Sequence, residues 1–322
     1  MSETIESLVE RTKGGDRVAA GALILAIQDD VYRLALRMLG LRAEAEDATQ
    51  EIMLQALTHL SEFRGESAFR TWVWRIATRH LMRSRKSKRE EVASFDTLDM
   101  LVARGDENPV MPDLAEAELS ILAEEVRLSC TQGMVLSLDR EHRISWILAE
   151  IFELSSEDAA AVLEIEPAAH RKRLSRARER FAAWMGKKCG LVAEANACRC
   201  RRQIPVAVSF GVADTRNLEY ADHPERPSGR RNLPIAAEAT EIERAVAVLK
   251  RHPEYAAPGR VVEGIRQLID SGRYRMFALV GTSPPAPGSE HWSKLEIAAR
   301  TTQIGAPRAE ARGSKITIVR GG

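Results

Sequence analysis

Residues 63–89 read FRGESAFRTWVWRIATRHLMRSRKSKR, an aromatic-rich segment with a dense set of cations. At 3.6 residues per turn, Phe69, Val73, Ile76, Ala77 and His80 fall on one side. Arg75, Arg79, Arg83 and Lys86 fall on another, and Trp72 lies at the border between them. The segment is therefore expected to be a helix with a greasy face and a basic face. Such a helix suits a nucleic acid, because cations neutralise phosphates and aromatic rings stack on bases or prop them open.

The net charge of +1 conceals strong segregation. The basic run is followed by an acidic stretch through Glu91, Asp96, Asp99, Asp106, Glu107, Asp113, Glu116 and Glu118, and residues 171–188 are basic again. Two basic surfaces on either side of an acidic stretch suggest two contact points on one polyanion. The 322 residues are enough for two or three domains, and 44 % hydrophobic content is enough to give them cores. No apolar run approaches the ~20 residues of a membrane span. The N-terminus lacks a signal-peptide core, and four cysteines, three of them late, do not read as a secreted disulfide framework. A cytoplasmic chain with no membrane contact is expected.

The first ~90 residues read as all-helical. Leu23, Ile24, Ile27, Val31, Leu34, Ala35 and Met38 recur at helical spacing up to Gly40, and a second helix over 43–60 starts with Glu44, Glu46 and Asp47. Residues 87–117 read as a linker with Gly105, Pro109 and Pro112 and no sustained period. Helical pattern returns from Leu114. Beyond about 190 the only clear helices lie around 236–251 and 258–271. Residues 273–281 suggest a strand, and 282–322, rich in Gly, Pro, Ala and Ser, suggest a disordered tail.

Residues 154–184 carry a second constellation. Ser155 and Asp158 open a short helix, EIEP breaks it, and Pro167 stands at the first turn of the next. There His170, Leu174, Ala177, Phe181 and Trp184 make a buried stripe. Ala168, Arg171, Lys172, Ser175 and Arg176 lie away from it. Small and basic residues near the start of an exposed helix are what a major-groove recognition helix requires.

Together these segments resemble the bacterial sigma-70 family, specifically its extracytoplasmic-function (ECF) group. The residues that carry the likeness are Ala45-Glu46-Asp47-Ala48-Thr49-Gln50-Glu51, Phe63-Arg64-Gly65-Glu66-Ser67, Arg70-Thr71-Trp72-Val73-Trp74-Arg75-Ile76-Ala77, and Arg171, Arg173, Leu174, Arg176, Ala177 and Arg178. The likeness spans roughly residues 10–185. It implies a mainly α protein with region 2 over 1–90, an acidic flexible linker over 91–113 and a region 4 helix-turn-helix over 114–188. A partly helical α+β or disordered extension would follow over 189–281, with the tail at 282–322. It further implies that Asp47, Gln50 and Glu51 dock core RNA polymerase. Phe63, Arg64, Ser67, Trp72, Arg75, Arg79 and Arg83 would melt and hold the promoter minus-ten element. Ala168, Arg171, Lys172, Ser175 and Arg176 would read the minus-thirty-five element, leaving Arg173 and Arg178 to touch phosphates or acids. Trp72 suits a core position as well as a base contact, and His80 suits packing on the apolar side.

The chain departs from the family pattern at the helix-turn-helix turn, where Glu164 stands in place of the usual Gly. In the extension Cys189, Cys198 and Cys200 cluster with Arg199, Arg201 and Arg202. Flanking cations would lower thiol pKa, making these redox sensors. They equally suit zinc ligands with His223 or His252 as a fourth, or plain structural cysteines. No cofactor and no catalytic set is recognisable, so an enzyme is not expected. The extension offers apolar surface to pack on the sigma module and regulate it in cis, in place of a separate anti-sigma factor. The rival reading is a free-standing helix-turn-helix regulator with a C-terminal sensing domain.

Overall fold

The computed structural model describes residues 4–107, 110–214, 216–222, 225–226 and 239–271. The suggested strand at 273–281 and the tail at 282–322 lie outside the described residues.

Helix α1 (Ile5–Lys13) leads into α2 (Arg17–Leu39), the axis of the molecule. Asp16 caps α2 by accepting from the Val18 and Ala19 N–H groups at 2.9 and 3.0 Å. Gly40 ends it at φ 82°, in the left-handed region. A Cβ at Gly40 would lie 2.5 Å from the Leu136 side chain, so the same residue lets two helix ends meet. Almost all of α2 is buried. It packs against α1, α3 (Arg42–Thr58) and α4 (Phe69–Arg83), the basic segment of the sequence.

The stretch read as an aperiodic linker is largely helical. Ser87 and Glu90 form a capping box for α5 (Lys88–Val92), and Ser94 caps α6 (Phe95–Asp106). Leu98 and Val102 of α6 are buried in the core. The acids Asp96 and Asp99 hid this period, because they occupy its outer side; Asp99 accepts the Trp184 indole N–H at 2.9 Å. Helix α7 (Glu116–Leu136) then crosses α2.

Helix α8 (Arg140–Trp146) runs on into a π-helical turn, Ile147–Ile151. Helices α9 (Ser156–Leu163) and α10 (Pro167–Lys188) follow as the helix-turn-helix pair. The expected stripe holds, since His170, Leu174, Ala177, Phe181 and Trp184 are all buried. A 3-10 turn (Cys200–Gln203) and α11 (Ile204–Ser209) pack on the N-terminal half of α7 around Leu119, Leu122, Val126 and Ile204. A two-residue pairing joins β1 (Glu225–Arg226) to β2 (Glu254–Tyr255) antiparallel. Helix α12 (Glu241–Lys250) begins after Thr240, which caps it with Glu243. It packs on α10, while α13 (Gly259–Asp270) packs on α2 and α3.

Buried polar groups bind these parts to one another. Arg37 of α2 donates to the Gln132 side chain (2.8 Å) and to the Leu249 carbonyl at the end of α12 (3.3 Å). Burial lowers its pKa to about 10. Glu125 of α7, fully buried, accepts the N–H groups of Glu219, Tyr220 and Ala221 at 3.1, 3.0 and 2.8 Å. Tyr220 in turn donates to the Gly40 carbonyl at 2.5 Å.

Candidate docking and nucleic-acid interfaces

Asp47 and Glu51 are exposed on α3, and Gln50 is partly covered. The cover is α13. Its Arg260 makes a bidentate ion pair with Glu46, and a Cβ at Gly264 would lie 3.0 Å from the Gln50 amide nitrogen. Val261, Val262, Ile265 and Ile269 of α13 are all buried. At the segment leading into α13, the Ala257 N–H donates to Asp29 of α2 at 2.9 Å. An acidic patch that the sequence presents as open is thus half roofed by the extension.

The minus-ten candidates divide. Arg64 and Arg83 are exposed and Ser67 is partly so. Phe63 is only 8 % exposed, which corrects its expected place on a base-capturing surface. Its ring packs with Phe69 at 5.4 Å and Trp72 at 5.5 Å, and Lys13 lies over it at 5.6 Å. Three large rings remove more apolar surface from water together than any one does facing solvent, so Phe63 and Trp72 serve the core here. His80 is not simply packed in apolar surroundings. Its ring lies 3.2 Å from the Gln55 amide and 3.6 Å from the Glu51 carboxylate.

Arg75 and Arg79 point at the helix-turn-helix. Arg75 donates to the Ala161 carbonyl at 3.0 Å, and Arg79 forks onto both oxygens of Glu164, at 3.1 and 2.5 Å. The two basic segments are therefore adjacent, with one carboxylate and one carbonyl of the second engaging cations of the first. Glu164 sits at φ 56°, ψ 44°, the left-handed conformation a glycine would occupy without strain. The Arg79 guanidinium holds the Glu164 carboxyl below its usual range. Glu164→Gly is expected to stabilise the chain by up to about 1 kcal/mol, because relief of strain outweighs a half-exposed ion pair. It is also expected to raise single-stranded DNA affinity by freeing Arg79. Glu164→Ala keeps the strain and should lower the melting temperature. Thermal melts and salt-dependent binding of a single-stranded oligonucleotide check both effects.

On α10, Ala168, Arg171, Lys172, Ser175 and Arg176 are all exposed. Arg171 pairs with Glu157 at 3.2 Å, and Ser175 donates to Glu179 at 2.7 Å. Arg173 and Arg178 engage Glu141 and Glu150 of the preceding elements, so both touch acids.

The thiols differ from the sequence reading. Burial pushes Cys189 up and Cys200 up to about 11, against the lowering expected from nearby arginines. His252 stands 2.6 Å from the Thr131 hydroxyl and 3.3 Å from that of Tyr255. His223 lies outside the described residues.

Residues 23–91 match the family model for Sigma-70 region 2. The RNA polymerase sigma-H factor of Pseudomonas aeruginosa is 33 % identical over 182 residues, covering 55 % of this chain and 91 % of that protein. The chain belongs to the ECF group of sigma-70 factors. The ECF sigma factor SigW of Bacillus subtilis is 31 % identical, over 56 % of this chain and 95 % of its own length. The sigma-E factor of Escherichia coli K12 is 30 % identical, over 56 % and 94 %. The sigma factor RpoE of Bartonella quintana, solved with the anti-sigma factor NepR, aligns with a TM-score of 0.33 over 51 % of this chain and 94 % of its own, at 19 % identity. The sigma reading thus prevails over the free-standing regulator. These relatives are matched almost end to end while over 40 % of this sigma factor lies outside the match. One residue now stands out that motif reading passed over, Glu125 under the 219–221 turn. Only its burial, which no motif records, distinguishes it.

Proposed function

We propose that this sigma factor docks core RNA polymerase through Asp47, Gln50 and Glu51 and opens promoters with residues 64–67 and the arginines of α4. The exposed row Ala168, Arg171, Lys172, Ser175 and Arg176 reads the duplex upstream. It acts as a binding subunit rather than an enzyme, and works in the cytoplasm. Among the described residues no helix is long and apolar enough to cross a membrane. The observation that carries the reading is the division of charge on the surface. Asp47 and Glu51 stay open on α3 for a basic protein, while Arg64, Arg83, Arg171, Lys172 and Arg176 stay open for phosphates.

The described arrangement is a closed state of that machine. Helix α13 roofs part of the docking face, and the α9–α10 turn occupies Arg75 and Arg79. The extension thereby performs in cis the restraint that a separate anti-sigma factor would supply. Pull-down of core polymerase tests the docking assignment. Asp47→Ala/Gln50→Ala/Glu51→Ala is expected to reduce capture at least about tenfold relative to its parent, the loss of a few charged contacts at a protein interface. If neither the wild type nor a variant with α13 released captures polymerase, the proposal is wrong.

A further inference from the structure

A cleft opens where α2, the π-helical turn and the extension meet. It is lined by Arg33 and Arg37 of α2, Ile151 at the end of the π-helical turn, Lys250 at the end of α12 and residues 252–255. Two of its three cations are paired. Arg33 engages Asp30 at 2.5 Å and Glu254 at 3.4 Å, and Lys250 stands 3.5 Å from Glu150 and 4.0 Å from Glu153. Arg37 is only 2 % exposed, and among the described residues no carboxylate pairs with it.

Burial lowers the Arg37 pKa only to about 10, so the guanidinium stays charged at neutral pH. The groups that act on it electrostatically are the hydroxyls of Tyr255 and Tyr220. Burial raises both, Tyr220 to about 12, so neither carries a charge there. Arg37 donates to the Gln132 side chain and the Leu249 carbonyl, but its Nε is buried with no hydrogen-bond partner among the described residues, as is the Nε of Arg33. Arg37 lies over the Trp146 ring at 5.7 Å, and Arg33 over the Phe152 ring at 5.2 Å. A ring that takes the face of a guanidinium leaves its edge, where the N–H groups lie, for an acceptor. His252 uses both ring nitrogens on the Thr131 and Tyr255 hydroxyls, so it adds no donor. A buried cation without a counter-ion is costly, and an anion that reaches it offsets the cost.

We propose that this cleft binds a small oxyanion of the phosphate class through Arg37, with Arg33 and Lys250 as flanking cations. A tetrahedral oxyanion accepts from the edge of a guanidinium and from an ammonium at once. The ion supplies the negative charge that Arg37 lacks, and shares the two cations that Asp30, Glu254, Glu150 and Glu153 already engage. Lys250 and Glu254 are the partly exposed members, at 31 % and 24 % of their side chains, and mark the mouth of the cleft. Because the cations come from α2 and α12, the ion fastens the 249–255 segment of the extension to region 2.

The test titrates the full chain with inorganic phosphate at constant ionic strength, with chloride as the balancing anion. Calorimetry is expected to show saturable binding of a single phosphate per chain. Amide exchange of residues 249–257 is expected to slow as the site fills. Arg37→Met and Lys250→Met are each expected to weaken binding at least about tenfold, the loss of a charge-assisted hydrogen bond. Lys250 is partly exposed, so its variant keeps the fold even where Arg37→Met does not. Arg85→Ala removes an exposed cation outside the cleft and is expected to bind phosphate as the wild type does. No saturable binding by the wild type, unchanged affinity in Lys250→Met, or an equal loss in Arg85→Ala would each overturn the site, the last because exposed basic surfaces would then account for the binding. None of these readouts depends on polymerase or promoter binding.

Discussion

Ile265→Asp in the full chain is expected to release α13 and raise capture of core polymerase by about tenfold or more. Ile265 is fully buried where α13 meets α2 and α3, alongside Val261, Val262 and Ile269. Each such side chain contributes about 1.5–3 kcal/mol by leaving water, and a carboxylate in its place adds a desolvation cost. A tenfold change needs only about 1.4 kcal/mol, so one substitution exceeds it. Arg260→Glu is expected to act in the same direction but more weakly, because Arg260 is 70 % exposed and exposed ion pairs are worth about 0–1 kcal/mol. Quantitative pull-down against the wild type checks the order Ile265→Asp above Arg260→Glu above wild type. Equal capture by all three would mean that α13 does not restrain docking.

Arg143→Met is expected to cost the largest stability of any single change, about 3–5 kcal/mol. Arg143 is 1 % exposed. Its guanidinium donates to the carbonyls of Val135, Met38, Leu136 and Leu138 at 3.2, 2.7, 2.7 and 2.7 Å, and stands 3.0 Å from Glu90. One side chain thus satisfies the ends of α2 and α7 and holds them to α5 and α8. Methionine would fill the volume but leave those carbonyls without a donor in a buried place. Arg143→Lys is expected to lose most of the same energy, because an ammonium cannot span the fork. Burial works to raise the Glu90 carboxyl, and Arg140 and Arg143 outweigh it and hold it below the usual range. A depressed carboxyl adds stability above its unfolded pKa and loses it as pH falls through the folded value. Thermal melts are expected to fall by about 10 °C for Arg143→Met at neutral pH. The difference should shrink as acid protonates Glu90.

Much of the scaffold was legible because local periodicity dictates it. The stripe from His170 to Trp184, the Gly40 stop and the amphipathic α4 each follow from side-chain spacing along one helix. Helix α6 was not legible, because Asp96 and Asp99 on its outer side mask a short apolar face of Leu98 and Val102. The open face of α10 could be read from its own pattern, since Ala168, Arg171, Lys172, Ser175 and Arg176 stay exposed among the described residues.

What the spacing along one helix records, the sequence alone determined: the long amphipathic helices, the family and the basic surfaces. What distant segments do to one another, only the tertiary structure decided. Phe63 entered the core because Phe69 and Trp72 meet it there, and Glu164 took a strained turn whose carboxylate engages Arg79. The 63–89 segment keeps the exposed basic residues Arg79, Arg83 and Lys86 that its spacing predicts. In the folded chain its inner cations are engaged by the α9–α10 turn, because a carboxylate and a carbonyl held in place by packing can stand where phosphates would bind.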